Sequence, residues 1–194
     1  MGFAPPLRRR PLLPVIGTAN LRIACLDAAA GFAGARYFAP ERWSTLETFS
    51  PNVLAGSAAQ LQRLVERVAL RTVNVASVDH SVFVVTQLGD TPLTSRFRDQ
   101  LWRQFNVPVY EVYVDESARI LAFECEAQDG WHVQDGVRFA SADGELLIER
   151  GVAMLRTGLN LRVEDGPCGC GREGTRLLEQ SRIAITEPLT AISA

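Results

Sequence analysis

The sequence contains no lysine, because all 20 of its basic residues are arginines. Functions that depend on a lysine amine, such as a Schiff-base lysine or the lysine of a phosphate-binding loop, are excluded for these 194 residues. The permanently charged guanidinium does not replace an amine in those roles. A strong positive charge is missing too, since 20 basic and 22 acidic residues give a net charge of −2. Binding to a phosphate backbone needs a broad positive surface, so we expect no nucleic-acid partner.

Long apolar runs are also absent. No stretch approaches the roughly 20 apolar residues that cross a bilayer. The short apolar run after the three arginines at positions 8–10 is interrupted by Pro11 and Pro14, whereas an export signal needs about 7–15 unbroken apolar residues. We therefore expect a cytoplasmic protein with no membrane partner and a flexible N-terminal arm over residues 1–18. A twin-arginine signal or a basic arm that touches a membrane surface stays open as an alternative.

The segment 51–114 has the pattern of a parallel α/β unit. A short apolar strand is followed by a helix that begins at Ser57, with Gln60 at capping-box spacing. A continuous β-branched run over 81–88 is typical of a strand covered on both faces. A second helix begins at Thr94, and a strand follows over 109–114. The order strand, helix, strand, helix, strand predicts a partial parallel α/β core.

The remaining sequence has a different pattern. From Ile120 onward, short strands are separated by Asp-Gly pairs at 129–130, 143–144 and 165–166, which predict a small antiparallel sheet or half-barrel. Helical periodicity returns only over 176–180. The predicted organisation is an α/β protein, in which the arm is followed by an α/β core segment (19–117), a β lobe with a zinc knuckle (118–180) and a C-terminal tail (181–194).

Three of the four cysteines accompany a histidine in a pattern that indicates a metal site. Two cysteines flank Gly169 in a glycine-rich knuckle, where a tight turn lets two thiolates face one ion. If the Asp-Gly pair at 129–130 is a two-residue hairpin turn, Ala127 pairs with His132, and Cys125 becomes a diagonal neighbour of that histidine on one face. Three sulfurs and one imidazole form a closed tetrahedral set, which predicts structural zinc. The predicted ligands are Cys125, His132, Cys168 and Cys170.

Two other interpretations of this cluster stay open. The thiols could be buried or incidental, with a histidine at the surface. A catalytic zinc is the other alternative, which is disfavoured because four protein ligands leave no position for water. The fourth cysteine, Cys25, lies on a predicted strand and is expected to be a small core residue.

Five segments between about residue 21 and residue 178 follow one another in a distinctive order and spacing. They are residues 51–57, which lead into a helix, 89–94, 109–133, 144–158 and the knuckle at 167–172. Together they resemble the phenylacetate-coenzyme A ligase-like branch of the adenylate-forming enzymes. The resemblance implies that fold, a zinc ion at the cysteine cluster, and an acyl pocket beside Tyr113 and Ala122.

Within that resemblance, the sequence departs from the family where nucleotide and magnesium are held. Such enzymes have a Ser/Thr/Gly-rich phosphate loop and a lid domain with a catalytic lysine, and the sequence contains neither. Ser117 stands in place of the glutamate that helps to hold magnesium, and Leu159 in place of the aspartate that grips the ATP ribose. Leucine cannot accept the ribose hydroxyl hydrogens. We therefore expect neither ATP nor magnesium to bind, and predict a truncated, degenerate and catalytically inactive member.

The predicted function is that of a zinc-stabilised remnant of such a ligase, which acts as a binding or accessory subunit. Its expected partner is another protein or a second copy of the chain. One alternative is a subunit of a split acyl- or aryl-CoA ligase, completed by a partner chain. Another is a small-molecule binding module, whose pocket beside Tyr113 and Ala122 takes an aromatic carboxylate.

Overall fold

A computed structural model describes residues 21–27, 32 and 34–179. The predicted N-terminal arm (1–18) and C-terminal tail (181–194) lie outside the described residues. The helical elements are a 3-10 helix at Pro40–Thr45, α1 at Leu46–Phe49, α2 at Ala58–Ala69 and α3 at Ser95–Phe105. The strands are β1 Ile23–Cys25, β2 Arg36–Tyr37, β3 Val53–Gly56, β4 Ser81–Gln87, β5 Val109–Val114, β6 Ile120–Glu124, β7 Trp131–Val133, β8 Phe139–Ala142, β9 Glu145–Arg150, β10 Ala153–Arg156, β11 Leu161–Asp165 and β12 Thr175–Glu179.

The two longer helices begin at the side chains that the sequence indicates. Ser57 Oγ accepts a hydrogen bond from the Gln60 backbone N–H at 3.4 Å, and Thr94 caps α3 in the same way. The Gln60 side-chain oxygen is buried and has no hydrogen-bond partner among the described residues, so only one half of the capping box forms. Asn106 ends α3 in the left-handed conformation, at a φ of 54°.

A mixed sheet of nine strands forms the centre of the molecule. Its order is β11-β12-β7-β6-β5-β4-β3-β1-β2. Pairing is parallel from β2 through β5 and antiparallel from β5 through β11. A second sheet of three antiparallel strands has the order β10-β9-β8. The predicted fold class, a parallel α/β core with a small antiparallel sheet, is therefore confirmed.

Three details of the C-terminal half differ from the predictions. Residues 176–180 were expected to favour a helix, but β12 is a strand because it pairs with both β7 and β11. The Asp-Gly pair at 165–166 does not close a tight turn, since Asp165 pairs with Thr175 across a nine-residue connection. No half-barrel forms among the described residues. Instead, the four antiparallel strands β6, β7, β12 and β11 extend the parallel part of the large sheet.

Side-chain burial divides the core into three clusters. The first lies between the sheet and the two longer helices and contains Leu61, Leu64 and Leu101. The second covers the opposite face around Phe83, and Cys25 packs there as predicted. The third lies under the antiparallel strands and contains tyrosine, tryptophan and leucine side chains. No helix in the described part of the chain is long and apolar enough to cross a membrane.

Candidate metal centre

The predicted ligands come from three separate parts of the sheet. Cys125 directly follows β6, and His132 is the middle residue of β7. Cys168 and Cys170 lie in the connection between β11 and β12. In that connection the Cys168 N–H donates to the Arg172 carbonyl at 2.8 Å, and the Gly171 N–H donates to the Cys168 carbonyl at 2.9 Å. This tight turn holds the two sulfurs of the knuckle beside the β6–β7 hairpin.

The structure corrects the register from which this proximity was predicted. His132 pairs with Phe123 and not with Ala127, and the β6–β7 connection has six residues (125–130) and not two. Cys125 lies two residues from Phe123 along the chain, so it still faces the same side of the hairpin as His132. The expected diagonal neighbourhood is therefore present, although the predicted turn is wrong.

Distances within the cluster fit a tetrahedral ion. The four ligand atoms lie within 4.8 Å of one another. The sulfurs of Cys125 and Cys168 are 3.6 Å apart, and Cys170 Sγ is 3.4 Å from His132 Nε2. Zinc bonds of about 2.3 Å to sulfur and about 2.0 Å to nitrogen place tetrahedral ligands about 3.8 Å (S···S) and about 3.6 Å (S···N) apart. The residues present thus fit one zinc ion with four protein ligands.

Burial makes the thiolate form of Cys125 dependent on a nearby cation. None of the four cysteines forms a disulfide, and Cys125 is fully buried. Burial, together with the neighbouring sulfurs, raises the pKa of Cys125 to about 12. Backbone N–H groups provide partial compensation, because Ala127 donates to Cys125 Sγ and Cys170 donates to Cys168 Sγ. Bound zinc would supply the remaining positive charge.

The histidine is held in the form that binds metal. His132 is 5% exposed, and its ring stacks on Phe123 at a centroid distance of 5.8 Å. Burial lowers the pKa of His132, and the positive charges of Arg172 and Arg176 lower it further. The imidazole is therefore neutral near pH 7, and its Nε2 faces the sulfur of Cys170.

Arg176 is a component of this centre that the sequence analysis missed. It pairs with His132 across β12 and β7, is 5% exposed, and hydrogen-bonds Cys168. Its guanidinium also binds Asp129 Oδ2 at 2.8 Å. Arg176 also pairs with Glu164 at 3.3 Å. A zinc ion with three thiolates and a neutral imidazole would carry a net charge of −1, and the guanidinium that hydrogen-bonds Cys168 would lie beside that charge. The place of Arg176 in a predicted helix concealed this role.

The two residues beside which an acyl pocket is predicted, Tyr113 and Ala122, are both buried. Tyr113 is 1% exposed and Ala122 is fully buried, and the two are cross-strand partners on β5 and β6. The Tyr113 ring packs against Trp131 at a centroid distance of 5.5 Å. Neither residue lines a described cavity. A ligand beside them would have to displace packed side chains.

The two positions where the sequence lacks an expected acid can also be placed. Leu159 is 5% exposed and packs in the third core cluster, beside Tyr113 and Leu146. Ser117 lies in the β5–β6 turn, where its backbone N–H donates to Asp115 Oδ1 at 2.9 Å.

Asp115, a buried acid two residues before Ser117, already forms two ion pairs. Its carboxylate forms ion pairs with Arg119 and Arg150, at 3.2 and 3.3 Å. Burial alone would raise the pKa of Asp115, but backbone N–H groups and the two guanidinium charges outweigh burial and lower it. Asp115 is thus a neutralised structural acid.

An open cavity of about 450 Å³ lies where the parallel strands β3 and β4 end. Its lining includes Ser57 at the start of α2, Thr86 and Gln87 from β4, and Asp90. In open α/β sheets, ligands bind outside the carboxyl ends of parallel strands. The cavity therefore occupies the place where such a fold binds small molecules.

Comparison with known proteins gives a consistent assignment of the fold. No protein-family model and no curated protein match the sequence. Among solved structures, an open conformation of 2-hydroxyisobutyryl-CoA ligase, in complex with 2-HIB-AMP and CoA, superposes with a TM-score of 0.61. The identity is 18%, and the match covers 81% of this chain and 46% of the ligase.

Two further structures give similar matches. An acyl-CoA synthetase of Brucella canis has a TM-score of 0.59 and 13% identity, covering 89% of this chain and 40% of the synthetase. An anthranilate CoA ligase in complex with anthranoyl-AMP has a TM-score of 0.55 and 11% identity, over 80% of this chain and 39% of the ligase. The chain spans less than half the length of these proteins. The fold of this chain is therefore similar to that of part of these two ligases and this synthetase.

Proposed function

We propose that this chain is a zinc-stabilised binding module, built on the fold of the phenylacetate-coenzyme A ligase-like branch, and that it does not adenylate carboxylic acids with its own residues. The burial of Leu159 in an apolar cluster carries this proposal. Adenylation depends on charged and hydrogen-bonding groups placed around the nucleotide. A buried leucine offers none at the position where the ribose is held in such enzymes.

The surroundings of Ser117 support the same conclusion. A serine hydroxyl is a much weaker magnesium ligand than a carboxylate. Asp115 is neutralised by two arginines, and Glu116 is exposed on the same turn. Asp115 is therefore not a free carboxylate, and the exposed Glu116 stands one position before Ser117, where the glutamate is missing.

An ATP–pyrophosphate exchange assay tests this proposal. The purified chain is incubated with ATP, magnesium and a panel of aromatic and aliphatic carboxylic acids, with 2-hydroxyisobutyryl-CoA ligase as the positive control. We expect no exchange above background, in a preparation whose zinc content and cooperative unfolding are measured beforehand. Exchange catalysed by the chain alone with any of the acids would overturn the proposal.

A split ligase is the second candidate function, and the cavity at the carboxyl ends of β3 and β4 favours it. In that case a partner chain would supply the phosphate loop, the lysine and the missing acids. Exchange activity that arises only when the two chains are mixed would establish this function. The other alternative is an aromatic carboxylate that binds beside Tyr113 and Ala122 without a partner. In that case benzoate should raise the melting temperature of the chain, and ATP should not.

A protein partner or a second copy of the chain forms part of the proposal. The edge strand β10 is exposed along its whole length. It carries the exposed apolar side chains of Met154 and Leu155, and the exposed Val152 directly precedes it. Exposed apolar side chains on an edge strand favour association. We expect the chain to reside in the cytoplasm. Affinity purification of the chain from its native host, followed by mass spectrometry, would identify a stoichiometric partner. A strictly monomeric chain recovered alone would contradict this part.

A further inference from the structure

A second polar cavity lies on the helix-covered face of the sheet, away from the metal centre. Its volume is about 430 Å³, within the range of small-molecule sites. The start of α3, the strands β5 and β6, and the β6–β7 hairpin contribute to its lining. The residues that matter here are Leu93, Arg98, Glu111, Glu124 and Trp131.

Glu111 is the unusual residue of this cavity. It lies in the middle of β5 and is fully buried. Its Oε1 accepts hydrogen bonds from Thr86 Oγ1 and from the Leu93 backbone N–H, both at 2.7 Å. Its Oε2 has no hydrogen-bond partner among the described residues. A buried carboxylate oxygen without a donor is costly, and such atoms are rare in native proteins.

The neighbouring positive charges compensate Glu111 only in part, because both are paired with other carboxylates. Arg98 contacts both oxygens of Glu124, at 2.9 and 2.8 Å, and so forms a bidentate pair. Arg162, the other cation of the lining, is paired with Glu164. Among the described residues Glu111 has no ion pair of its own. Burial raises the pKa of Glu111 despite its two hydrogen bonds, as expected for a carboxylate that lacks a counter-charge.

Trp131 adds a second unsatisfied group. Its side chain is 94% buried, and its indole N–H has no hydrogen-bond acceptor among the described residues. It lies opposite Glu124 across β6 and β7. Because side chains alternate along a strand, Trp131 and its neighbour His132 face opposite sides of the sheet. The cavity and the metal ligands therefore lie on opposite faces of the sheet, although Asp129 of the lining also binds Arg176.

The chemistry of the lining distinguishes between possible ligands. A metal ion needs several ligand atoms close together, and among the described residues only the Cys/His cluster has such a group. An anion would face the unpaired carboxylate. A protonated amine, in contrast, supplies both the hydrogen bond and the positive charge that Glu111 lacks. A tryptophan ring, that of Trp131, belongs to the same lining and suits an organic cation.

We propose that this cavity binds a small organic cation, whose protonated amine donates a hydrogen bond to Glu111 Oε2 while its apolar body lies against Trp131. This inference does not depend on the metal centre or on the presence or absence of adenylation. No covalent step is involved.

Nuclear magnetic resonance of the full chain tests the site without any variant. The probes are benzylamine and its neutral analogue benzyl alcohol, added to ¹⁵N-labelled protein at neutral pH. We expect benzylamine to cause a saturable shift of the Trp131 indole N–H signal, and benzyl alcohol to cause none. The other two tryptophans are internal controls, because the Trp43 indole already donates to the Phe38 carbonyl at 3.0 Å and Trp102 is 54% exposed.

Substitution of the carboxylate gives a second test. Glu111→Gln keeps an oxygen for Thr86 and Leu93 but removes the charge, so we expect the benzylamine affinity to fall by at least about tenfold. Glu149→Gln, outside the cavity, should leave the affinity unchanged. The proposal is overturned by equal binding of the amine and the alcohol, by no saturable shift at millimolar benzylamine, or by a folded Glu111→Gln protein that binds as tightly as the wild type. If Glu111→Gln does not fold, the comparison of amine and alcohol still decides.

Discussion

At the scale of single residues, Gly130 determines how closely the β6–β7 hairpin approaches β12. Its φ is +82°, a conformation that side chains disfavour. A Cβ at this position would lie 2.3 Å from the Leu177 carbonyl oxygen and 2.4 Å from Leu178 Cδ2. The carbonyl belongs to a strand paired on both sides, so it cannot move away easily. Glycine is therefore required for the packing that brings the metal ligands together.

Gly130→Ala should lower the free energy of unfolding by about 3–5 kcal/mol, since backbone strain and overpacking add. Gly136→Ala is the matched control, because Gly136 has a similar φ of +78° but no atom within 4 Å of its added Cβ. The free energy of unfolding of Gly136→Ala should fall only by the cost of the backbone conformation, about 1–2 kcal/mol. Urea unfolding of both variants measures the difference. Equal losses would show that the contact with β12 does not constrain the hairpin.

Asp115 gives a residue-scale prediction for pH. Its pKa is lowered in the folded protein, so its contribution to stability is present above the ordinary value of 3.8 and is lost as the pH falls through the folded value. Asp115→Asn keeps an oxygen for the backbone donors but loses both ion pairs. We expect it to cost about 1–3 kcal/mol at pH 7 and progressively less below about pH 4.

The control for Asp115 is Glu149→Gln, which breaks a solvent-exposed ion pair with Arg138. Exposed pairs contribute less than about 1 kcal/mol. Thermal unfolding of the wild type and both variants across pH 3–8 provides the comparison. A difference between the wild type and Asp115→Asn that is independent of pH would rule out this account of the carboxylate.

At the scale of elements, one ion pair connects α3 to the antiparallel strands. Arg98, in the first turn of α3, binds Glu124 of β6 through both guanidinium nitrogens and also donates to the Val109 carbonyl at 2.6 Å. Glu124 accepts in addition from the Glu111 backbone N–H at 2.6 Å. The two side chains are 22% and 5% exposed. Removing the arginine would leave a buried carboxylate without its counter-ion.

A double-mutant cycle tests this connection. Arg98→Met should lower the free energy of unfolding by about 3–5 kcal/mol, because the Glu124 charge becomes uncompensated. Adding Glu124→Gln should recover part of that loss, which gives a coupling of about 1–3 kcal/mol. The exposed pair Arg138–Glu149 serves as the control cycle, with an expected coupling below about 1 kcal/mol. Additive losses at Arg98 and Glu124 would contradict this view of α3 docking.

The elements also show what the sequence could and could not predict. Both long helices were predictable because their signals are local, with Ser57 and Thr94 as caps and apolar residues at helical spacing. β12 was not, since Thr175–Glu179 become a strand only through pairing with β7 and β11. The continuation of the parallel sheet into antiparallel strands was not visible either. Strand pairing is a long-range property, whereas periodicity reports on the immediate neighbours.

The same distinction applies to the candidate sites. All four predicted metal ligands come together in the structure. They could be predicted because cysteine and histidine are recognisable as metal ligands from the residue type alone. Arg176 and Gly130 were missed. Their roles depend on contacts with other strands, and the residues adjacent to them in sequence do not indicate those contacts. The Glu111 cavity could not be predicted for the same reason. Its two unsatisfied groups come from different strands.

At the scale of the whole molecule, a metal ion would join chain segments that are far apart in sequence. Cys125 and Cys168 are 43 residues apart, and the knuckle leads directly into the strand that carries Arg176. Binding to the folded chain alone stabilises it by mass action. A strong chelator should therefore lower the melting temperature by about 10 °C, as expected for a loss of several kcal/mol. The chelator should not change the melting temperature of Cys168→Ser. A fall as large as that of the wild type would contradict the proposed metal site.

The most direct test of the central claim is the metal content of the purified chain, measured by native mass spectrometry together with elemental analysis. The account predicts one zinc ion per chain in the wild type and in Cys25→Ser. The Cys25 side chain of the wild type lies in the second core cluster, away from the metal centre. The account predicts loss of that ion in Cys125→Ser and in Cys168→Ser. A wild-type chain without metal after expression in zinc-sufficient medium, or a Cys168→Ser chain that retains one zinc with unchanged affinity, would contradict it.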